Sequence, residues 1–237
     1  WETVPLCDIL KERLALPKHV PVAIVNDANG AALAEFKFGA CAHKGIKHLV
    51  YFTISTGIGG GVITNGKLLL GATGMAAELG HIIIDVNGPR CGCGGFGHLE
   101  AMASGTALAR EASRRVAEGG KTSLATGSSR ARLTAETVVK AAQAGDALAC
   151  ELMEREANLV AAGVITAVHS FNPEMIVLGG GVTHAGDLLF GPVRKSVEAG
   201  VMPAYRGTYE IVPVALGDTS GALGAVAAAL DELSVTI

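Results

Sequence analysis

Aromatic residues are scarce in this chain: one Trp, three Tyr and six Phe make up 4% of its 237 residues. Any core has to be built from aliphatic side chains and alanine, and with 49% hydrophobic residues there is enough for a full one. Charge is thin as well, at 17%, and balanced, with 19 Lys+Arg against 22 Asp+Glu and a formal net charge of −3. No basic field exists to hold a polyanion, which disfavours nucleic-acid binding by this segment. Long apolar runs are also missing. Mean hydropathy is positive at +0.41, yet 32 Gly interrupt the Ala, Val and Leu, and no stretch nears the roughly 18 uninterrupted apolar residues of a membrane span. The opening Trp1-Glu2-Thr3-Val4-Pro5 lacks a basic and apolar leader pattern, so a cytoplasmic protein is expected. Five cysteines are an odd number for a disulfide framework, and Cys7, Cys41 and Cys150 stand apart as reduced, structural residues. There is no internal repeat and no low-complexity tract.

What is present alternates helix and strand. Residues 4–16 read as helix, Pro21-Val22-Ala23-Ile24-Val25 as a short buried strand, and residues 27–38 as a helix stopped by Gly39. Asn26 and Asp27 therefore fall at a strand-to-helix junction. Residues 48–55, 60–64 and 67–70 form an antiparallel ribbon of three strands, with Asn65-Gly66 as a hairpin turn. Beyond a Gly-rich segment at 71–97, helices are expected at 99–118, 135–144 and 147–170, with Gly145-Asp146 as break and cap and 119–130 as a mobile polar loop. A strand at 175–178, a helix at 186–200, a strand at 210–214 and an Ala-rich helix at 220–233 complete the order. This is a mixed-sheet α/β arrangement, suited to one half of a two-lobed nucleotide-binding architecture.

Four segments carry chemistry. Thr56-Gly57-Ile58-Gly59-Gly60-Gly61 joins the first two strands, and so little side-chain bulk lets backbone N–H groups approach an anion. It is either a phosphate cradle or a glycine hairpin that needs positive φ. No Gly-Lys-Ser/Thr follows it and it does not open a helix, so it is neither a Walker A loop nor a dinucleotide fingerprint. A second glycine turn, Gly179-Gly180-Gly181, follows the strand Ile176-Val177-Leu178, where α/β sheets bind ligands. Together the two turns point to a nucleotide. Asn26-Asp27 sets a carboxylate at a helix N-terminus, where the macrodipole favours its ionised form. It serves either as a cap or as the acceptor of a substrate hydroxyl proton.

The densest signal is Glu78-Leu79-Gly80-His81 with Cys91-Gly92-Cys93-Gly94-Gly95-Phe96-Gly97-His98-Leu99-Glu100. Two thiols and two imidazoles are the donors tetrahedral zinc prefers, and the interleaved glycines allow the tight wrap needed to gather them. Unligated thiols this close to histidines would invite oxidation, so a structural Zn²⁺ is expected over a loop of two reduced cysteines. With His81, Cys91, Cys93 and His98 all engaged, no open position would remain for hydrolytic chemistry.

On these segments, and on Val25-Asn26-Asp27-Ala28-Asn29 and Ser55 through Gly61, the chain resembles the ROK family of bacterial sugar kinases and repressors, above all its ATP-dependent glucokinases. The resemblance runs along nearly the whole chain. It implies an actin-like, ribonuclease H-like ATPase fold of two lobes that close around ATP, its Mg²⁺ and a hexose, with phosphate moved to the sugar 6-hydroxyl. By that resemblance Asp27 is the catalytic base, and Asn26, Glu78, His81 and Glu100 join it in holding sugar hydroxyls. Thr56, Gly57 and Gly59 would border the phosphates, and Gly179, Gly180 and Gly181 would lie by the adenosine. His81 would use one ring nitrogen on zinc and the other toward the sugar. Taken without the family, Glu78 and Glu100 read as exposed helix charges. Glucose is the favoured hexose, with N-acetylmannosamine, N-acetylglucosamine and fructose as competitors, and a homo-oligomer, dimer or tetramer, is expected.

Two departures from the family pattern stand out. His98 replaces the usual third zinc cysteine, which keeps a ligand of suitable type. The phosphate motif Asp-x-Gly-Gly-Thr is absent, since Asp27, Asp85 and Asp218 all lack that context. Residues 1–44 are thus expected to be a remnant of the smaller lobe and 45–237 the larger lobe with the zinc knuckle, the last helix returning toward the smaller lobe. Low kinase activity is expected of this polypeptide alone. The alternatives are the sugar-sensing domain of a repressor and a zinc-stabilised interaction module.

Overall fold

The computed structural model describes residues 4–17, 19–125 and 133–235. Along these run α1 (Leu6–Arg13), α2 (Asp27–Lys37), β1 (Leu49–Ile54), β2 (Ile58–Thr64), β3 (Lys67–Leu68), α3 (Leu99–Ala103), α4 (Gly105–Ala117), α5 (Ala135–Gln143), α6 (Ala147–Phe171), β4 (Met175–Gly179), α7 (Asp187–Gly200), β5 (Glu210–Pro213) and α8 (Ser220–Val235). The strands form one mixed sheet in the order β3-β2-β1-β4-β5. The ribbon is antiparallel, with Leu49 opposite Ile63, and β4 and β5 add to it in parallel, Met175 lying opposite both Leu49 and Glu210. Asn65 and Gly66, at φ 50° and 75°, make the expected hairpin turn.

Strand periodicity divides the interior. Val50, Phe52, Ile54, Ile176 and Leu178 enter the main core, which contains buried residues of α3, α4, α5, α6 and α7. Leu49, Tyr51, Met175 and Val177 face the other way, onto Ala31, Ala32 and Leu33 of α2 and Ala227 and Ala228 of α8. The small residues there are a packing requirement. A Cβ on Gly224 would collide with the carbonyl of Gly30, so α2 and α8 meet backbone to backbone. At the outer strand, Arg194 donates through Nε and Nη2 to the Ile211 carbonyl at 3.1 and 2.9 Å, and Pro213 offers no N–H. The edge is thereby closed to further strand pairing.

Several expectations are corrected. Residues 21–26 form no strand, and Ile24 is 52% exposed, because among the described residues no strand lies beside them to accept their backbone bonds. The single helix expected over 99–118 is two: Ser104 leaves helical geometry at φ −79°, ψ 161°, and its Oγ accepts from Ala107 N–H to start α4. Gly59, Gly60 and Gly61 lie inside β2 and take no part in a turn. In the expected loop, the carboxylate of Asp146 accepts from the Ser123 N–H and from the hydroxyls of Thr122 and Ser123 while also capping α6 through Ala149 N–H. These bonds, from the Ala149 and Ser123 N–H groups first, hold its carboxyl down at about 2. The rest of that loop, 126–130, lies outside the described residues. Among those described, no helix is long and apolar enough to cross a membrane.

Candidate active site

The site is built around the turn Ser55-Thr56-Gly57 between β1 and β2. Three hydrogen bonds from a later part of the chain fix it: Gly105 N–H to the Ser55 carbonyl at 2.7 Å, Thr106 Oγ1 to the Thr56 carbonyl at 2.8 Å, and Ile58 N–H to Glu100 Oε2 at 3.0 Å. None of the glycines at 57, 59, 60 and 61 has positive φ. They are there for close approach: a Cβ would stand 2.5 Å from Glu100 Oε2 at Gly57, 3.0 Å from the Ala28 Cβ at Gly59, 2.6 Å from Leu79 Cγ at Gly60 and 2.7 Å from the Ala32 Cβ at Gly61.

Because Gly59 and Gly61 seat Ala28 and Ala32, α2 begins beside this turn. Asn26 is its cap, Oδ1 accepting from Ala28 N–H at 3.0 Å and Asn29 N–H at 3.3 Å. Asp27, the first helical residue, shares the Ala28 N–H with that cap. Its carboxylate is exposed at the end of the sheet where β1 finishes, with Oδ1 also 2.8 Å from Ala28 N.

From the opposite face of β2 comes the knuckle. Leu79 packs on Gly60, and a Cβ on Gly80 would collide with the Ile58 carbonyl, which brings His81 in beside the turn. The ligand atoms of His81, Cys91, Cys93 and His98 lie within 4.8 Å of one another. Cys91 Sγ is 3.8 Å from His81 Nδ1 and Cys93 Sγ is 3.2 Å from His98 Nδ1. A tetrahedral zinc spaces such donors by about 3.3 to 3.8 Å, so both the donor set and the spacing suit the ion. His81 Nε2 points the other way, 4.0 Å from Glu78 Oε2. Glycine is needed at Gly97, where φ is 68° and a Cβ would strike the Asp85 carbonyl, and at Gly95, where it would lie 2.5 Å from the His98 ring. Burial pushes the Cys91 thiol up, and the nearby Cys93 and Glu100 add to this against a lowering hydrogen bond from the Cys93 backbone. A metal has to displace that proton to bind.

The turn also opens onto a cleft of about 1170 Å³, lined by Ser55, Thr56, Gly105 and Thr106, by Arg110 of α4, by Thr134, Glu136, Lys140 and Gln143 around α5, and by Gly181 and His184. Thr56 and Gly181 thus share one cavity. Gly179 and Gly180 do not line it: a Cβ on Gly179 would meet Val214 at 2.5 Å, and Gly180, at φ 90°, would strike the Ile54 backbone, so both serve the junction of β4 with its neighbours. Sequence reasoning missed the α5 residues. Glu136, Lys140 and Gln143 recur at helical spacing on one face, a pattern shared by any solvated helix.

The sequence profile of the ROK family matches residues 1–232. A glucokinase of Thermotoga maritima is 42% identical over 228 residues, which cover 95% of this chain and 69% of the relative. The xylose repressor of Bacillus subtilis is 30% identical over 232 residues, 98% of this chain and 55% of that protein. The solved structure of a ROK family glucokinase from Streptomyces griseus in complex with glucose and AMPPNP aligns with a TM-score of 0.82 at 34% identity, covering 97% of this chain and 73% of that one. The mixed sheet with helices on both faces is the actin-like ATPase fold of these proteins, and with a profile match over almost every residue the chain belongs to the ROK family.

Proposed function

We propose that the protein is an ATP-dependent sugar kinase acting on the 6-hydroxyl of a hexose, with glucose as the preferred substrate. One observation carries this reading: an exposed carboxylate, a cluster of zinc-type donors and a nucleotide-sized cleft all border the Ser55-Thr56-Gly57 turn. The relatives supply the substrate, since the similar proteins include glucokinases and one structure holds glucose and AMPPNP.

Asp27 accepts the proton of the sugar hydroxyl as that oxygen forms its bond to the γ-phosphorus and the bond to the β-phosphate oxygen breaks. Thr56, Gly57 and Gly59 border the phosphates, and Gly181 with the α5 face borders the nucleoside. Asn26, whose Oδ1 is committed to the cap, offers its amide N–H₂ to the sugar, beside Glu78, His81 and Glu100. Directional donors and acceptors of this kind discriminate among hydroxyl patterns, because a mismatched sugar leaves buried polar groups unpaired. Mg²⁺ accompanies the nucleotide. Bound zinc, held by His81, Cys91, Cys93 and His98, supplies a crosslink, and the His81 ring so fixed turns Nε2 toward the substrate. We assign residues 1–44 to the smaller lobe and the remainder to the larger one, and place the protein in the cytoplasm as a homo-oligomer, dimer or tetramer.

A coupled assay of glucose phosphorylation tests the assignment. Asp27→Ala is expected to lower kcat by about 10³-fold while glucose affinity stays within about tenfold. Preserved kcat would reduce Asp27 to a structural residue. The match to a xylose repressor supports a second reading, a sugar sensor without turnover, and sugar binding with no phosphorylation in a form that also carries the Asp-x-Gly-Gly-Thr motif absent from these 237 residues would favour it.

A further inference from the structure

Glu100 stands where the knuckle and the turn meet. It follows the metal-type ligand His98 by two residues, near the start of α3. Its Oε1 is 3.7 Å from Cys91 Sγ, and its Oε2 accepts from Ile58 N–H at 3.0 Å. The other ties on the turn, from Gly105 N–H and Thr106 Oγ1, come from the same continuous stretch a few residues later. These three bonds on the turn therefore all hang from the chain that leaves the knuckle at His98.

We propose that Glu100 is a positioning residue that couples metal occupancy of the knuckle to the phosphate side of the site. With His98 and Cys91 pinned, the start of α3 is fixed, and Oε2 holds Ile58 N–H and with it Thr56 and Gly57. Oε1 remains for the sugar, so one carboxylate links the two substrates. The part concerning nucleotide rests on the reading of the turn as the phosphate border.

The test combines amide hydrogen exchange at Ile58, read by NMR, with calorimetric binding of AMPPNP in the absence of sugar. In the zinc-loaded wild type the amide is slow. Chelation is expected to speed it about tenfold or more, equivalent to about 1.4 kcal/mol of local opening, and to weaken AMPPNP several-fold. In Glu100→Leu the amide is already fast and chelation adds nothing. Glu100→Gln retains an acceptor for Ile58 N–H and restores slow exchange when zinc is present. The Ile176 and Val177 amides of β4 report the fold, and if they too quicken in the Leu variant, the Gln variant decides alone. An Ile58 amide indifferent to chelation in the wild type, or one still responsive in Glu100→Leu, overturns the coupling. If AMPPNP does not bind even the zinc-loaded wild type, the nucleotide reading falls while the exchange data still judge the role of Glu100.

Discussion

The two glycine-rich segments of the site use the same residue in different ways. In 57–61 the glycines have ordinary backbone angles, and each would-be Cβ lands on a packed neighbour: Glu100, Ala28, Leu79 or Ala32. In 88–97 the glycines divide: a Cβ at Gly88, Gly95 or Gly97 would strike the Gly97 backbone, the His98 ring or the Asp85 carbonyl, whereas Gly94 and Gly97 take φ of 100° and 68° and a Cβ at Gly92 or Gly94 would meet nothing within 4 Å. The first segment is set by what presses on it. The second buries Cys91 but exposes Cys93, and nearby Val86 and Phe96 are 81% and 58% exposed, so burial holds only part of it. Similar composition thus gives one element packed against its neighbours at every glycine and another whose apex, Gly92 to Gly94, is open and which the proposed metal would crosslink.

Metal removal should separate them most widely. Stripping zinc is expected to weaken glucose binding about 100-fold, as loss of a ligand-orienting shell does, while the melting temperature of the sheet falls by only a few degrees, since no ligand of the cluster belongs to either hydrophobic core. Calorimetry and sugar titration on the same chelated sample read both. Global unfolding on chelation would mean that the knuckle supports the fold, and the contrast would be lost.

Glycine replacement reverses the pattern. Gly60→Ala drives a methyl into Leu79 and should cost about 2 to 3 kcal/mol in denaturant unfolding. Gly97→Ala combines an unfavourable φ of 68° with a collision at Asp85, yet its effect should stay within the knuckle. Elemental analysis should find zinc well below the wild-type content, while the midpoint measured in chelator moves by less than about 1 kcal/mol.

A third experiment moves the packed part alone. Among the described residues two glutamates are fully buried, at 0% exposure. Glu35 accepts from the N–H groups of Ala40, Ala215 and Leu216, which tie α2 to the segment before α8. Glu156, in the middle of α6, has no hydrogen-bond partner on either oxygen among the described residues, and burial pushes its carboxyl well above the usual carboxylate range. An acid whose folded value is raised gives its full stability below the unfolded value, and that stability is lost as pH rises toward the folded one. Glu156→Leu should therefore be more stable than wild type by about 1 to 3 kcal/mol at pH 8, with the gain shrinking toward pH 5 and the zinc content unchanged. Urea titrations at the two pH values check this. A gain independent of pH would show that Glu156 is ionised or neutral alike in both states.

What the sequence disclosed was whatever short-range chemistry specifies. Asn65-Gly66 can hardly be anything except a hairpin turn, and the two cysteines and two histidines spaced by glycines do gather into one cluster of possible metal ligands. The hidden features depend on neighbours brought from afar. Pro21-Val22-Ala23-Ile24-Val25 has a buried strand's composition and finds no strand beside it. Gly59, Gly60 and Gly61 resemble a flexible loop until Ala28, Leu79 and Ala32 arrive against them. Glu35 and Glu156 look like ordinary helix residues, and only tertiary packing makes one a satisfied hub and the other an unpaired acid. The polar face of α5 becomes one wall of the cleft only because Thr56 and Gly181 are carried to it by separate strands.

The smallest effect is the sharpest on the knuckle itself. Gly92 separates the two cysteines, has no positive φ, and a Cβ built on it meets nothing within 4 Å. If the segment were packed like 57–61, any added atom would be felt there. A segment fixed through its ligands should accept a methyl that points into solvent and leaves the Cys91 and Cys93 thiols where they are. Gly92→Ala is therefore expected to change stability by less than about 0.5 kcal/mol and to leave zinc content and glucose affinity at wild-type values. It could even bind metal slightly more tightly, because alanine has less conformational freedom to lose when the loop is drawn around an ion. A marked loss of metal in this variant would show that the wrap between Cys91 and Cys93 tightens on binding into space that only glycine leaves free.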